Sequence, residues 1–176
     1  MSLLGFGFFV AFIVLAADLP RPENLIHRRS FESSKIYDRT GSILLYEIYG
    51  DTRREYKPLD RVSESFLEAL LIAEDRTFFT HLGIDPRAMV RAVLNNLKLR
   101  ELSGGASTIS QQFIRNSLLT KEKTIARKFK EIILTLELER RYSKNEILEF
   151  YINEVSFGSN IHGIEAASRF YFNKPA

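Results

Sequence analysis

The chain has 176 residues, 45% of them hydrophobic, with a net charge of +3 and a pI near 9.2. That is enough apolar material for one domain with a core, and it excludes a largely disordered chain; the mild basicity favours an anionic partner without naming one. With no cysteine, disulfides, thiol catalysis and cysteine-built metal sites are all excluded.

The chain opens on MSLLGFGFFVAFIVLAA, a run free of charge. A membrane-spanning helix needs roughly 20 apolar residues, with a range of about 17–25, so residues 1–18 are read as a short transmembrane anchor. A cleaved signal peptide is the rival reading, but its basic start is missing. Arg21, Arg28 and Arg29 follow the segment and, by the positive-inside rule, would hold the downstream side in the cytoplasm. A basic N-terminus missing from a truncated chain would remove that conflict. Residues 19–34 form a polar linker with two prolines, and residues 35–176 a single domain.

Within that domain, KIYDRTGSILLYEIYGDTRREY alternates apolar and polar residues around Arg39-Thr40-Gly41, the pattern of a β-hairpin. From Ser63 the period becomes helical, with Phe66, Leu67, Leu70 and Leu71 leading to Glu74. Asp85-Pro86 is an N-cap followed by a first-turn proline, which starts a helix running to about Leu99. LSGGAS breaks it, and Ser107 or Thr108 caps the next helix through Ile114. A long helix covers Thr124 to Arg141. Ser143 and Glu146 form a capping box for another to about Ile152. Gly158 and Gly163 bracket a loop, and GIEAASRFYF is a last helix, after which the chain stops as if cut. The expected fold class is mainly α with a short N-terminal β element.

Four groups of residues could carry chemistry. In AEDRTFFTHLG, Glu74 and Asp75 adjoin Phe78, Phe79 and His81. Partial burial against the aromatics would raise a carboxylate's pKa toward a general base or acid, whereas a wet loop would leave the pair without meaning. Asp75 would hold backbone groups in place. His81 lacks the HExxH pattern or a neighbouring histidine that a zinc site needs, and is read as a packing or hydrogen-bonding residue. GGASTISQQ is a small-residue loop running into a helix start, suited to anions or sugar hydroxyls, but it is not a Walker motif. On the long helix, Ile125, Phe129, Ile132, Ile133 and Leu136 share one face, and Arg127, Glu131, Leu134 and Leu138 the other. Both faces carry apolar residues, so the helix is expected to be buried on two sides, with Glu131 in a cleft or inside. A surface ion pair of Glu131 with Arg127 or Lys128 is the plainer alternative. Lys121, Lys123, Arg127, Lys128 and Lys130, with Arg115 before them, form a cation cluster that is either a solvated face or a pyrophosphate site. Aromatic residues are not interleaved with these charges, which argues against nucleic acid as a partner.

These pieces stand in the order of a known family. The acid pair with Phe78, His81 and Gly83, the run Gly105 to Gln112, the set Arg127, Lys128 and Glu131, the segment Lys144 to Asn153, and Gly163 to Ala167 leading to Tyr171 and Phe172 together resemble the peptidoglycan glycosyltransferase domain of family 51. That domain occurs in class A penicillin-binding proteins and in monofunctional transglycosylases. The resemblance implies a lysozyme-like, mainly α fold with a membrane-associated lobe. It implies a single-pass protein of the bacterial cytoplasmic membrane, its catalytic domain on the extracytoplasmic face, elongating glycan strands from lipid II. Glu74 and Glu131 would be the catalytic carboxylates, Glu74 as general base and Glu131 assisting at the pyrophosphate. Asp75, Phe78, His81, Ser107, Thr108, Gln111, Gln112, Arg115, Asn116, Lys123, Arg127 and Lys128 would line the substrate site. The resemblance implies no obligatory cofactor and leaves room for a divalent metal, Mg or Mn, at Glu131. Lipid II, the growing glycan strand, the membrane and cell-wall synthesis proteins are the implied partners.

Two positions depart from the pattern: Arg115 stands where lysine is usual and Lys123 where arginine is usual, exchanging a fork for a point charge. The family's domain normally continues with further helices beyond the equivalent of residue 176. No Ser-x-x-Lys occurs, so these residues hold no penicillin-binding transpeptidase signature. Two other functions share much of this pattern: a lysozyme-like glycan-cleaving enzyme with Glu74 as general acid, and a non-catalytic membrane-anchored lipid II-binding module. The cation cluster argues against the first, since cleaving a glycosidic bond needs no pyrophosphate site.

Overall fold

The structure is a computed structural model that describes residues 34–48, 53–99, 107–119, 122, 124–158 and 161–176. The expected anchor over residues 1–18, nearly all of the linker over 19–34, and Lys121 and Lys123 lie outside the described residues. No helix among the described residues is long and apolar enough to cross a membrane.

Strands β1 (Ser34–Tyr37) and β2 (Leu44–Ile48) pair antiparallel, as the alternation predicts. Asp38 closes their turn by accepting the backbone N–H groups of Ser42 and Ile43, with Gly41 at φ +72° supplying the left-handed residue. The expected hairpin does not extend to Tyr56. Strand β3 (Arg53–Arg54) instead pairs in parallel with β4 (Ile161–His162), more than a hundred residues further on. A two-residue strand has too little pattern to announce itself, and its partner is chosen by the packing of the helices between.

Six α-helices follow among the described residues: α1 (Glu64–Glu74), α2 (Pro86–Leu99), α3 (Ile109–Leu118), α4 (Ile125–Arg141), α5 (Lys144–Glu154) and α6 (Ile164–Phe172). Their starts obey local chemistry. Asp85 accepts the Ala88 N–H at 2.9 Å, and Thr124 accepts the N–H of Arg127. Thr108 and Ser143 each form a full capping box, with Gln111 and Glu146 respectively.

Helix α3 is the axis of the domain and packs against both α4 and α5. Ile109, Phe113 and Ile114 of α3 meet Leu134 and Leu138 of α4 and Ile147, Leu148, Tyr151 and Ile152 of α5 in one core, which Phe78 and Ile164 complete. Each such aliphatic side chain contributes roughly 1.5–3 kcal/mol relative to exposure.

The long helix differs from expectation. Glu131, Leu134, Thr135 and Leu138 face inward, whereas Ile125 is 79% exposed and Phe129 and Leu136 are also exposed. Helix α4 is therefore buried on one side only, and on the less apolar of its two faces. The side against α3 offers polar partners that its opposite face does not need: Ser110 of α3 donates to Glu139 at 2.5 Å, and Lys144 adds an ion pair to the same carboxylate at 2.8 Å.

Candidate active site

Glu74 is the last residue of α1, and its side chain is exposed, not enclosed by the neighbouring phenylalanines. The expected burial fails because the chain turns sharply after α1. Phe78 swings into the core and Phe79 outward, their rings edge to face at 5.2 Å. Glu74 is held from the other side: Gln112 Nε2 of α3 donates to Glu74 Oε2 at 2.9 Å. The Tyr151 hydroxyl of α5 in turn donates to Gln112 Oε1 at 3.3 Å. Burial pushes the Tyr151 phenol up to about 12, the Glu74 charge adds to the rise, and Arg115 opposes it. Glu74, Gln112, Tyr151 and Arg115 thus lie within electrostatic reach of one another, contributed by three helices.

Asp75, one residue on, does the opposite of Glu74. It is buried and accepts the backbone N–H of Ile109 at 3.0 Å through Oδ2. His81 Nε2 stands 2.9 Å from the same oxygen and 3.1 Å from Oδ1. The Gly83 N–H donates to His81 Nδ1 at 3.0 Å, so the ring proton sits on Nε2 and is given to Asp75. Thr108 returns to the same loop by donating to the Gly83 carbonyl at 2.6 Å. The first and second motifs are therefore sewn together, and the seam fixes the start of α3, from which Gln112 reaches Glu74.

A cleft of about 160 Å³ opens beside Glu74, lined by the end of α1, the start of α2 and Ser107-Thr108. Arg76, Asp85 and Arg91 also line it, and none of the three stands out in the sequence as a site residue.

Glu131 is 1% exposed and pairs with the ammonium of Lys128, which keeps about two-fifths of its own side chain in solvent. The pairing expected of a surface bridge therefore occurs, with its acid buried. Arg127 has its Nε buried and without a hydrogen-bond partner among the described residues. Glu131, the one carboxylate that the sequence offers to a divalent metal, is thus already joined to an ammonium. The described residues gather no group of three or more histidines and carboxylates that could hold one.

Of the remaining sequence candidates, Ser107 is part-exposed on the cleft, Arg115 is part-buried and Asn116 exposed. Phe78, Thr108 and Gln111 are buried, Phe78 in the core and the other two in the capping box, with Thr108 also at the wall of the cleft. His81 is largely occupied by its two partners. Tyr151 is the residue that sequence reasoning missed. It lies inside the fourth motif, but nothing in that segment announces contact with Gln112.

The exposed Glu74 carboxylate thus stands at the cleft, at the meeting of the end of α1 and the start of α2 with Ser107 and Thr108. The Transglycosylase family matches residues 41–176, and the chain belongs to that family, the family 51 glycosyltransferase domain of class A penicillin-binding proteins. It is 39% identical over 168 residues to penicillin-binding protein 1A of Aquifex aeolicus, covering 96% of this chain and 23% of that protein. Penicillin-binding protein 4 of Bacillus subtilis is 39% identical over 144 residues, 82% of this chain and 23% of its own. Penicillin-binding protein 1A of Pseudomonas aeruginosa is 36% identical over 169 residues, 96% of this chain and 20% of its own. The chain thus spans a fifth to a quarter of the length of these relatives.

Proposed function

We propose that the chain is a peptidoglycan glycosyltransferase that polymerises lipid II into β-1,4-linked glycan strands on a lysozyme-like scaffold. Glu74 takes the proton from the 4-hydroxyl of the acceptor N-acetylglucosamine. The freed oxygen attacks C1 of the donor sugar, a new C1–O bond forms on the opposite face, and the bond from C1 to the polyprenyl pyrophosphate breaks with inversion. Pyrophosphate leaves readily once its charge is met, so the site needs cations more than a general acid. Arg115, Arg127 and Lys128 are suited to that, and the buried Nε of Arg127 has no hydrogen-bond partner among the described residues. Glu131 acts by holding Lys128 in place, and no metal step is required.

The observation that carries this reading is the placement of Glu74: exposed at the cleft and held by Gln112, within the span that matches the family. Exposed Ile72, Phe79, Leu82 and Val90 lie in the same stretch of chain as the cleft-lining Arg76 and Arg91, which suits a substrate presented at a membrane surface. Localisation at the extracytoplasmic face of the cytoplasmic membrane follows from that substrate, and work alongside other cell-wall synthesis proteins follows from the process. The test is product analysis with fluorescent lipid II in detergent. Lengthening strands support the transferase. Shortening of preformed strands would identify a glycan-cleaving enzyme, and lipid II bound without turnover would identify a binding module.

A further inference from the structure

Tyr151 is 2% exposed, lies in the last turn of α5, and spends its one polar atom on the side-chain amide of Gln112. An amide has two unlike ends. A phenol that donates can be satisfied only by the oxygen end, so the bond to Oε1 turns Nε2 outward, toward Glu74 and toward the Ser107 carbonyl at 3.5 Å. The reversed amide would set Oε1 against the Glu74 carboxylate, acceptor against acceptor, and leave the Tyr151 hydroxyl facing N–H groups. With its titration pushed to about 12, the phenol keeps its proton throughout the neutral range and stays a donor.

We propose that Tyr151 is a positioning residue for the transfer reaction: through Gln112 it fixes the Glu74 carboxylate at the cleft. Gln112 holds Oε2, while Oε1 of Glu74 accepts no hydrogen bond among the described residues and is the oxygen that meets the acceptor hydroxyl. Without the phenol the amide loses the partner that fixes its oxygen end, and its hold on the base loosens. This inference rests on the reading of Glu74 as general base, and it assigns a task to a residue of the fourth motif that touches no substrate.

The experiment is a double-mutant cycle on the full chain, with kcat and KM for lipid II measured for Tyr151→Phe, Gln112→Ala and the pair. Losing one neutral hydrogen bond should lower kcat roughly five- to tenfold in Tyr151→Phe, with KM within about twofold. In the Gln112→Ala background the same change should lower kcat no further. Losses that multiply, or a change in KM alone, would overturn the proposal, because a purely structural tyrosine acts independently of Gln112. A second readout does not depend on turnover: the side-chain amide resonances of Gln112 in ¹⁵N NMR should move in both Tyr151→Phe and Glu74→Gln. An amide unmoved in Tyr151→Phe would defeat the positioning role. An amide that responds as expected in a chain that makes no polymer would instead sink the transferase reading and leave the hydrogen-bond chain standing. Should Tyr151→Phe lose its fold, 3-fluorotyrosine placed at 151 keeps ring and hydroxyl and must still shift the amide.

Discussion

The adjacent acids Glu74 and Asp75 have separate tasks because the helix ends between them. Glu74 closes α1 at the surface, and Asp75, at φ −160°, turns its carboxylate inward to the Ile109 amide and His81. The sequence reading of Asp75 as a holder of backbone groups, and of His81 as a hydrogen-bonding residue, agrees with this geometry. Chemistry alone makes those roles legible: a buried acid needs donors, and a lone histidine makes a poor metal site. The exposure of Glu74 and the reach of Tyr151 were not legible, since both depend on how α1 and α5 pack against α3. Gly83 is a further residue whose identity the packing dictates. At φ +86° a Cβ there would lie 2.7 Å from Thr135 Cγ2 and 2.8 Å from Glu139 Cγ. Glu139 cannot swing clear without releasing Ser110 and Lys144. Gly83→Ala should therefore destabilise the fold by about 2–4 kcal/mol in denaturant unfolding, combining backbone strain with overpacking. A loss under about 0.5 kcal/mol would show that the loop yields.

At the scale of elements, helix starts were the most legible feature, because a cap is a contract between neighbours three residues apart. Asp85 and Ser143 cap where their side-chain oxygens predict, Thr124 caps the long helix it was expected to begin, and Thr108 resolves the choice offered at 107 and 108. Ser143→Ala removes the acceptor for the Glu146 N–H and should cost about 1 kcal/mol in thermal or chemical unfolding, with Thr at 143 restoring most of it. Which face of α4 is buried was not legible. Hydrophobicity favours the face with Ile125, Phe129 and Leu136, but α3 presents Ser110 beside its apolar residues, and the face with Glu131, Thr135 and Glu139 answers it. Tertiary partners outweighed the local pattern there.

Across the whole molecule, the early segment before α1 is tied to the end of the chain. Asn153 of α5 accepts the Lys57 N–H at 2.7 Å and donates to the Lys57 carbonyl at 2.9 Å. Glu149 accepts the Leu59 N–H at 2.8 Å and the Tyr56 hydroxyl. Glu165 of α6 receives Lys57 at 3.0 Å, Arg169 at 2.7 Å and the Ala176 N–H at 2.9 Å. Much of the fourth and fifth motifs thus joins distant segments of the chain. Their spacing was legible in the sequence, but their partners, nearly a hundred residues away, were not. Burial by itself would raise the Glu165 pKa, but the Ala176 amide, Lys57 and Arg169 outweigh it and hold the carboxylate below its ordinary value of 4.5. A depressed pKa stabilises the fold above that value, and the benefit is lost as pH falls through the folded-state pKa. Glu165→Gln should therefore cost roughly 2 kcal/mol at pH 7, and the gap from the unmutated chain should narrow as unfolding is measured below about pH 4.5. A gap independent of pH would show that Glu165 is not ionised in the fold.

All three scales converge on one carboxylate at the cleft, and the most direct measurement is turnover and binding of fluorescent lipid II by Glu74→Gln beside the unmutated chain. Glutamine keeps the size of the side chain but cannot take the acceptor's proton. Polymer formation should fall at least about a hundredfold, the scale of a lost general base, while lipid II binding changes by less than about threefold. Strands of ordinary length made at an ordinary rate by Glu74→Gln would contradict the assignment of the base.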